Sequence, residues 1–104
     1  SRALYTVWGG ANDLFAITNA GADPTLTIGG AVAAEVGIVG ALRNAGARYI
    51  LVATVPDLGL TPAFRAQGAA AQAAGTALTT TYNSNLFGAL ASNNLRVIPL
   101  DTFT

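Results

Sequence analysis

The sequence predicts an α/β domain built on a parallel sheet, and three observations lead to that prediction. Short segments that are apolar on both alternating faces, as in strands buried from both sides, alternate with long segments of helical periodicity. Their order along the chain is strand, helix, strand, helix, strand. Each helix is long enough to return the chain parallel to the preceding strand. The length of 104 residues predicts a single domain around one core.

The first half of the chain contains the first predicted strand and helix. Residues 3–8 form a run with aromatic and β-branched side chains, and the glycines at 9–10 end it. The Asp-Pro pair at 23–24 is typical of a helix N-cap followed by proline in the first turn. Apolar residues then recur at spacings of four, four and three, which predicts one buried stripe: Ile28, Val32, Val36 and Val39. The helix is predicted to end at 44–46.

The second predicted strand covers residues 48–54, and a long helix follows it. The Thr-Pro pair at 61–62 repeats the helix-start pattern, and an alanine-rich stretch continues it with an i, i+4 row: Leu78, Tyr82, Leu86 and Leu90. Glycine costs about 1 kcal/mol relative to alanine inside a helix. We therefore expect a bend or break near Gly68 or Gly75.

The third predicted strand covers residues 95–100 and contains Pro99. Proline cannot donate a hydrogen bond to a neighbouring strand, so this strand is predicted to lie at an edge of the sheet.

The composition excludes some classes of function. Five basic residues balance five acidic residues, so no basic stripe for nucleic-acid binding is expected. Charged residues make up 10% of the chain, against about 25% in an ordinary domain. With 52% apolar residues, part of the surface is expected to be covered by something else. The longest nearly apolar stretch, 29–42, is interrupted by Glu35 and is shorter than the roughly 20 residues of a membrane span, so none is predicted.

The chain contains neither cysteine nor histidine. Without them there is no thiolate metal ligand, no cysteine nucleophile and no imidazole base, so no metal site and no complete Ser-His-Asp triad is predicted. The chain starts at Ser1 and has no methionine, which leads us to expect a piece of a longer protein.

The loop after the first strand is the richest candidate site, because ligands bind at the carboxyl ends of parallel strands. Residues 9–13 offer two glycines, the amide of Asn12 and the carboxylate of Asp13. Taken alone, this loop is interpreted as a turn with a helix cap. It has no lysine and no glycine spacing typical of a phosphate-binding loop.

Residues 5–15 (YTVWGGANDLF) resemble the third conserved block of the GDSL, or SGNH, esterases and lipases, most closely the bacterial autotransporter-type branch. Residues 55–62 and 96–101 resemble later segments of the same family, in the same order. The resemblance implies a three-layer, flavodoxin-like fold of the SGNH hydrolase type. Residues 1–104 would be one partial domain, the central strand-helix-strand-helix-strand part of that fold.

The resemblance also implies functional residues. Asn12 matches the asparagine of the oxyanion hole, Gly9 and Gly10 support that loop, and Asp13 accompanies it. The serine block and the Asp-x-x-His block of the family are absent, so the chain alone is expected to be inactive. The resemblance implies no cofactor, an ester or lipid substrate for the complete protein, and a secreted or cell-surface location.

The remaining polar candidates are interpreted as structural. Ser84 and Ser92 fall within and at the end of the long helix without an adjacent base, so solvated or capping roles are expected. Asp57 is expected to stabilise a turn, and Asp101 to begin another loop.

Two further expectations concern the first strand. Tyr5 and Trp8 are expected to belong to the core, not to a substrate platform. Strand 3–8 is also expected to pair with the rest of the parent chain or with a second copy. The alternative to the esterase interpretation is a non-catalytic α/β binding or interaction module, in which residues 9–13 are only a turn.

Overall fold

The computed structural model describes residues 3–10, 13–14, 16–17, 21 and 23–103. The strands in this part of the chain are β1 (Leu4–Val7), β2 (Tyr49–Ala53) and β3 (Ile98–Leu100). The long helices are α1 (Pro24–Asn44) and α3 (Ala69–Ser92), and the short helix α2 (Pro62–Arg65) follows a 3-10 turn, Leu58–Leu60. Residues 13–14 and 16–17 are also helical. The predicted α/β class and the predicted order of strands and long helices are confirmed.

The sheet is parallel and has the order β1-β2-β3, so β2 lies in the centre. Val7 of β1 and Pro99 of β3 both pair with Val52 of β2. The edge position predicted for the strand that contains Pro99 is therefore confirmed within the described sheet.

The predicted break in the second helical segment occurs at Gly68. The backbone there has a φ of 100°, a conformation that glycine adopts at little cost, and it separates α2 from α3. Gly75 has a different role, because a Cβ at that position would lie 2.9 Å from the ring of Phe64. Its lack of a side chain lets α3 pack closely against α2.

Helix α1 begins as the sequence predicts, with the Leu26 amide donating a 3.0 Å hydrogen bond to the Asp23 side chain. Its buried stripe differs from the prediction at one position. The buried residues are Ile28, Val32, Glu35 and Val39. Val36, which the spacing placed on the stripe, is only partly buried.

The sequence predicted no membrane span, but helix α1 is longer than the apolar stretch at 29–42 on which that prediction rested. The helix has 21 residues, and an 18-residue window within it has a mean hydropathy of 1.7, so by length and composition it could cross a membrane. An apolar helix near the amino-terminal end is also compatible with a secretion signal. In this fold, α1 connects β1 to β2 and places its buried stripe in the core.

The core lies on one face of the sheet. Ile50 and Val52 of β2 point to the same face because they are two residues apart, and Val7 is in register with Val52. All three belong to one cluster with side chains of α1 and α3: Ile28, Val32, Val39, Tyr82, Leu86 and Leu90.

The opposite face of the sheet is largely uncovered. Its exposed side chains are Leu4, Tyr49, Ile98 and Leu100, which are 46–58% exposed. The prediction that strand 3–8 is buried from both sides is wrong for this structure, since Val7 is the buried residue of β1. The physical reason is that α1 and α3 pack on the other face and that β1 is an edge strand of the described sheet.

The loop that follows β2 is fixed by one side chain of α3. The Val55 amide donates to Asn83 Oδ1 at 2.8 Å, and Asn83 Nδ2 donates to the Val55 carbonyl at 3.0 Å. Val55 is 1% exposed, so in the folded protein its backbone groups depend on Asn83 for hydrogen bonds.

Replacing Asn83 with alanine is therefore expected to lower the free energy of unfolding by about 1–3 kcal/mol, because two buried backbone groups lose their partners. Urea unfolding measures this change. Asn85→Ala, at an exposed position on the same helix, is the matched control. Equal unfolding midpoints for the two variants would show that the Asn83 hydrogen bonds contribute nothing to stability.

Candidate functional site

An open cleft of about 290 Å³ lies at the carboxyl end of β1. The loop after β1, helix α1 and helix α3 line it, through Trp8, Gly9, Gly10, Asp13, Gly30, Ala31, Ala34, Glu35, Ile38 and Tyr82. Three of the predicted site residues, Gly9, Gly10 and Asp13, are thus brought together. Asn12 lies outside the described residues, so its place in the site stays a prediction.

Gly10 is held in a conformation and a space that only glycine fits. Its φ is 104°, and a Cβ at that position would lie 2.4 Å from the Cζ atom of Tyr82. The Gly10 carbonyl accepts a 3.1 Å hydrogen bond from the Leu14 amide. Gly10 thus lies against Tyr82 of α3 and is hydrogen-bonded to Leu14 in the helical residues that follow.

Beneath this loop, the Tyr82 hydroxyl donates a 2.7 Å hydrogen bond to Glu35 Oε2. Both side chains are buried, with Tyr82 at 1% and Glu35 at 5% exposure. Glu35 Oε1 is also buried and has no hydrogen-bond partner within the described part of the chain. One half of the carboxyl group is thus paired, and the other half is not.

Burial raises the pKa of the Glu35 carboxyl above its usual value of 4.5, and the hydrogen bond from Tyr82 offsets part of that rise. Burial also raises the pKa of Tyr82, with further contributions from the hydrogen bond and charge of Glu35 and from the charge of Asp13. Tyr82 therefore keeps its proton and acts as the donor of the pair. Burial makes the ionised form of Glu35 less favourable than it would be in water.

Glu35 and Tyr82 were not predicted from the sequence as site residues. A signal was present for Glu35, which follows Val32 by three positions and precedes Val39 by four, so it falls on the buried stripe of α1. A lone ionisable residue on an apolar stripe indicates a group whose charge state matters. Tyr82 gave no such signal, because an aromatic residue in an i, i+4 row is typical of a core.

The expectation that Trp8 and Tyr5 belong to the core is wrong for the described structure. Trp8 is 65% exposed and lies at the rim of the cleft, and Tyr5 is 36% exposed. The cause is the position of β1 at an edge of the described sheet, where no further strand covers these side chains. The indole of Trp8 is consequently available to contact a ligand in the cleft.

The other acidic candidates have the structural roles that the sequence predicts. Asp57 accepts hydrogen bonds from the Gly59 amide at 3.0 Å and the Thr76 hydroxyl at 2.7 Å, which fixes the 3-10 turn. Asp101 accepts one from the Phe103 amide at 2.9 Å at the start of a loop.

The two serines lie on α3, away from the cleft after β1. The Ser92 hydroxyl donates to the Gly88 carbonyl at 2.9 Å. Ser84 is exposed and borders a separate pocket of about 200 Å³ beside Thr54 and Asp101. In the part of the chain that the structure describes, no three Asp or Glu side chains are grouped to hold a metal ion.

Two known proteins are similar to this chain in sequence. An "Uncharacterized protein in trpE-trpG intergenic region" from Pseudomonas putida is 38% identical over 101 residues, which cover 96% of this chain and 16% of that protein. "Lipase 1" from Photorhabdus luminescens is 42% identical over 61 residues, which cover 59% of this chain and 10% of that protein. No family model matches the chain. The chain thus spans only 16% and 10% of these relatives, one of which is named a lipase.

The raised pKa of Glu35 leads to a pH dependence of stability. The folded state binds this proton more tightly than the unfolded chain, so the Glu35 contribution to the free energy of unfolding falls as the pH rises from 4.5 through the folded pKa. Glu35→Gln removes the ionisation but keeps an oxygen for the Tyr82 hydroxyl. Its stability relative to the native protein is therefore expected to rise with pH.

Urea unfolding at a series of pH values, from about 4 to about 8, measures the difference between the two proteins. A difference that stays constant across this range would show that Glu35 titrates alike in the folded and unfolded states.

Proposed function

We propose that this chain is the central part of a serine carboxylic-ester hydrolase of the GDSL type, and that the cleft after β1 is the oxyanion side of its active site. The observation that carries the proposal is the glycine loop at the carboxyl end of a parallel strand, with Gly10 fixed against Tyr82 beside an open cleft. The similarity to Lipase 1 over 61 residues supports it.

In the proposed mechanism, Asn12 donates its side-chain amide to the oxygen that becomes negative when the ester carbonyl is attacked. A neutral donor held in place before the reaction stabilises the transition state more than the ground state. The Gly10 conformation sets the direction in which the chain leaves β1, and Asp13 is the first described residue of the helical stretch that follows. The proposal assigns no step to a metal or an organic cofactor.

The nucleophilic serine and its histidine base would come from other parts of a longer protein, since this chain contains no histidine. We place that longer protein outside the cell or at its surface, in keeping with the family that residues 5–15 resemble.

The oxyanion role is tested with Asn12→Ala in the longer protein. This variant is expected to lower kcat by about 10²- to 10³-fold with little change in KM, because the lost hydrogen bond forms mainly in the transition state. Hydrolysis of a short-chain nitrophenyl ester measures both constants. Asn44→Ala, at an exposed position at the end of α1, is the control.

If Asn12→Ala keeps more than half of the native kcat, Asn12 is only a turn residue. If the unaltered longer protein fails to hydrolyse esters or to react with a phosphonate directed at serine, the domain is a non-catalytic α/β module instead.

The uncovered face of the sheet is proposed to be the docking surface for the rest of the longer protein. Thr6, Leu51 and Ile98 lie in one row across the three strands on this face. Exposed apolar rows beside an unpaired strand edge favour association with another chain segment. In the isolated chain, a second copy would take that place.

The isolated chain is therefore expected to associate, and Thr6→Lys is expected to reduce association because it puts a charge among the exposed apolar side chains of this face. Light scattering measures the mass against 10.4 kDa for one chain. Thr81→Lys, at an exposed position on α3, is the matched control. A native chain that stays monomeric at high concentration would show that the isolated chain does not associate. Equal association of the two variants would place the contact on another surface.

A further inference from the structure

We propose that Glu35 is a positioning residue that acts through Tyr82 to hold the loop after β1 in the conformation that binds substrate. This inference rests on the proposed function, because it assigns to Glu35 the orientation of the loop that would carry the oxyanion donor. Glu35 itself touches no reacting atom in this scheme. Its effect passes through two contacts, from the carboxyl group to the Tyr82 hydroxyl and from the Tyr82 ring to Gly10.

The first contact fixes one end of the tyrosine side chain. The Tyr82 hydroxyl lies 2.7 Å from Glu35 Oε2, in a setting where both side chains are almost fully buried. Without Glu35, the buried Tyr82 hydroxyl would have no hydrogen-bond partner. Because an unpaired buried hydroxyl is unfavourable, the phenol ring would shift toward water or another acceptor.

The second contact involves the same end of the ring. A Cβ on Gly10 would lie 2.4 Å from Cζ, 2.6 Å from the hydroxyl oxygen and 2.9 Å from Cε1 of Tyr82. The end of the Tyr82 ring that carries the hydroxyl, and that is hydrogen-bonded to Glu35, is thus the part that lies against Gly10. A shift of the hydroxyl would change this contact directly, because no side chain separates the ring from the backbone.

The position of Glu35 on α1 supports a specific role over a packing role. A carboxyl group buried among apolar residues costs stability that an apolar side chain would not. The titratable groups that face the cleft beside it are Tyr82 from α3 and Asp13 from the helical residues after the loop, and the described lining contains no cation that would compensate a charge.

Four variants of the longer protein test this inference. Glu35→Ala and Tyr82→Phe each break the first contact, and each is expected to lower kcat by about 10- to 100-fold with KM within about twofold. Glu35→Gln keeps an acceptor for the hydroxyl and a donor in place of Oε1, so its kcat is expected to stay within about twofold of native. Thr81→Val, which removes an exposed hydroxyl from the same helix as Tyr82 but outside the cleft, is the control.

Hydrogen exchange of the peptide that covers residues 8–14 gives a readout that does not depend on activity. Glu35→Ala and Tyr82→Phe are expected to speed exchange in this peptide, whereas Glu35→Gln and Thr81→Val leave it unchanged. If Glu35→Ala prevents folding, Tyr82→Phe still breaks the contact while keeping the ring, and its kcat and exchange decide the question.

The two proposals fail in different ways. Native kcat and native exchange in Tyr82→Phe and Glu35→Ala would overturn the positioning role, even where Asn12→Ala is inactive. Faster loop exchange in a longer protein that hydrolyses no ester would support the positioning of the loop and reject the esterase function. Equal losses in Glu35→Gln and Glu35→Ala would also overturn the inference, because the conservative variant would then fail to rescue.

Discussion

The close approach of Gly10 to the ring of Tyr82 is the contact on which the candidate site depends. It requires a residue without a side chain in the loop after β1, and it requires a phenol ring fixed by the hydrogen bond to Glu35. Three elements that are distant in sequence, β1, α1 and α3, meet at this point. Because Tyr82 and Glu35 are buried and Gly10 has no room for a Cβ, none of the three can be replaced without leaving a clash, a void or an unpaired polar group.

Much of the fold could be predicted from the sequence because it depends on local patterns. The Asp-Pro pair at 23–24, the glycine at 68 and the proline at 99 each constrain the backbone at their own positions, and the structure confirms them. The exposure of Trp8 could not be predicted, because it depends on which segments cover β1 and not on β1 itself. The pairing of Glu35 with Tyr82 also required the fold, since 47 positions separate them.

The low charge content of the chain and the packing of helices on only one face of the sheet have a common physical explanation, which is that another segment covers the second face. The apolar residues Leu4, Ile98 and Leu100 face away from α1 and α3, on a sheet face that no described segment covers. Burial of such a face is worth about 25 cal/mol for each Å² removed from water, so a covering partner would be strongly favoured. The chain spans 16% and 10% of its two relatives, and in our account the remainder of such a longer protein provides that cover and the missing catalytic groups.

The most direct test of this account is a crystal structure of the longer protein after reaction with a phosphonate directed at serine. We predict that the phosphonyl oxygen lies in the cleft after β1, about 2.7–3.1 Å from the side-chain nitrogen of Asn12, with Gly10 still packed on Tyr82. A phosphonate bound at another edge of the sheet, or Asn12 turned away from it while Tyr82 and Glu35 remain paired, would contradict the assignment of this loop as the oxyanion site.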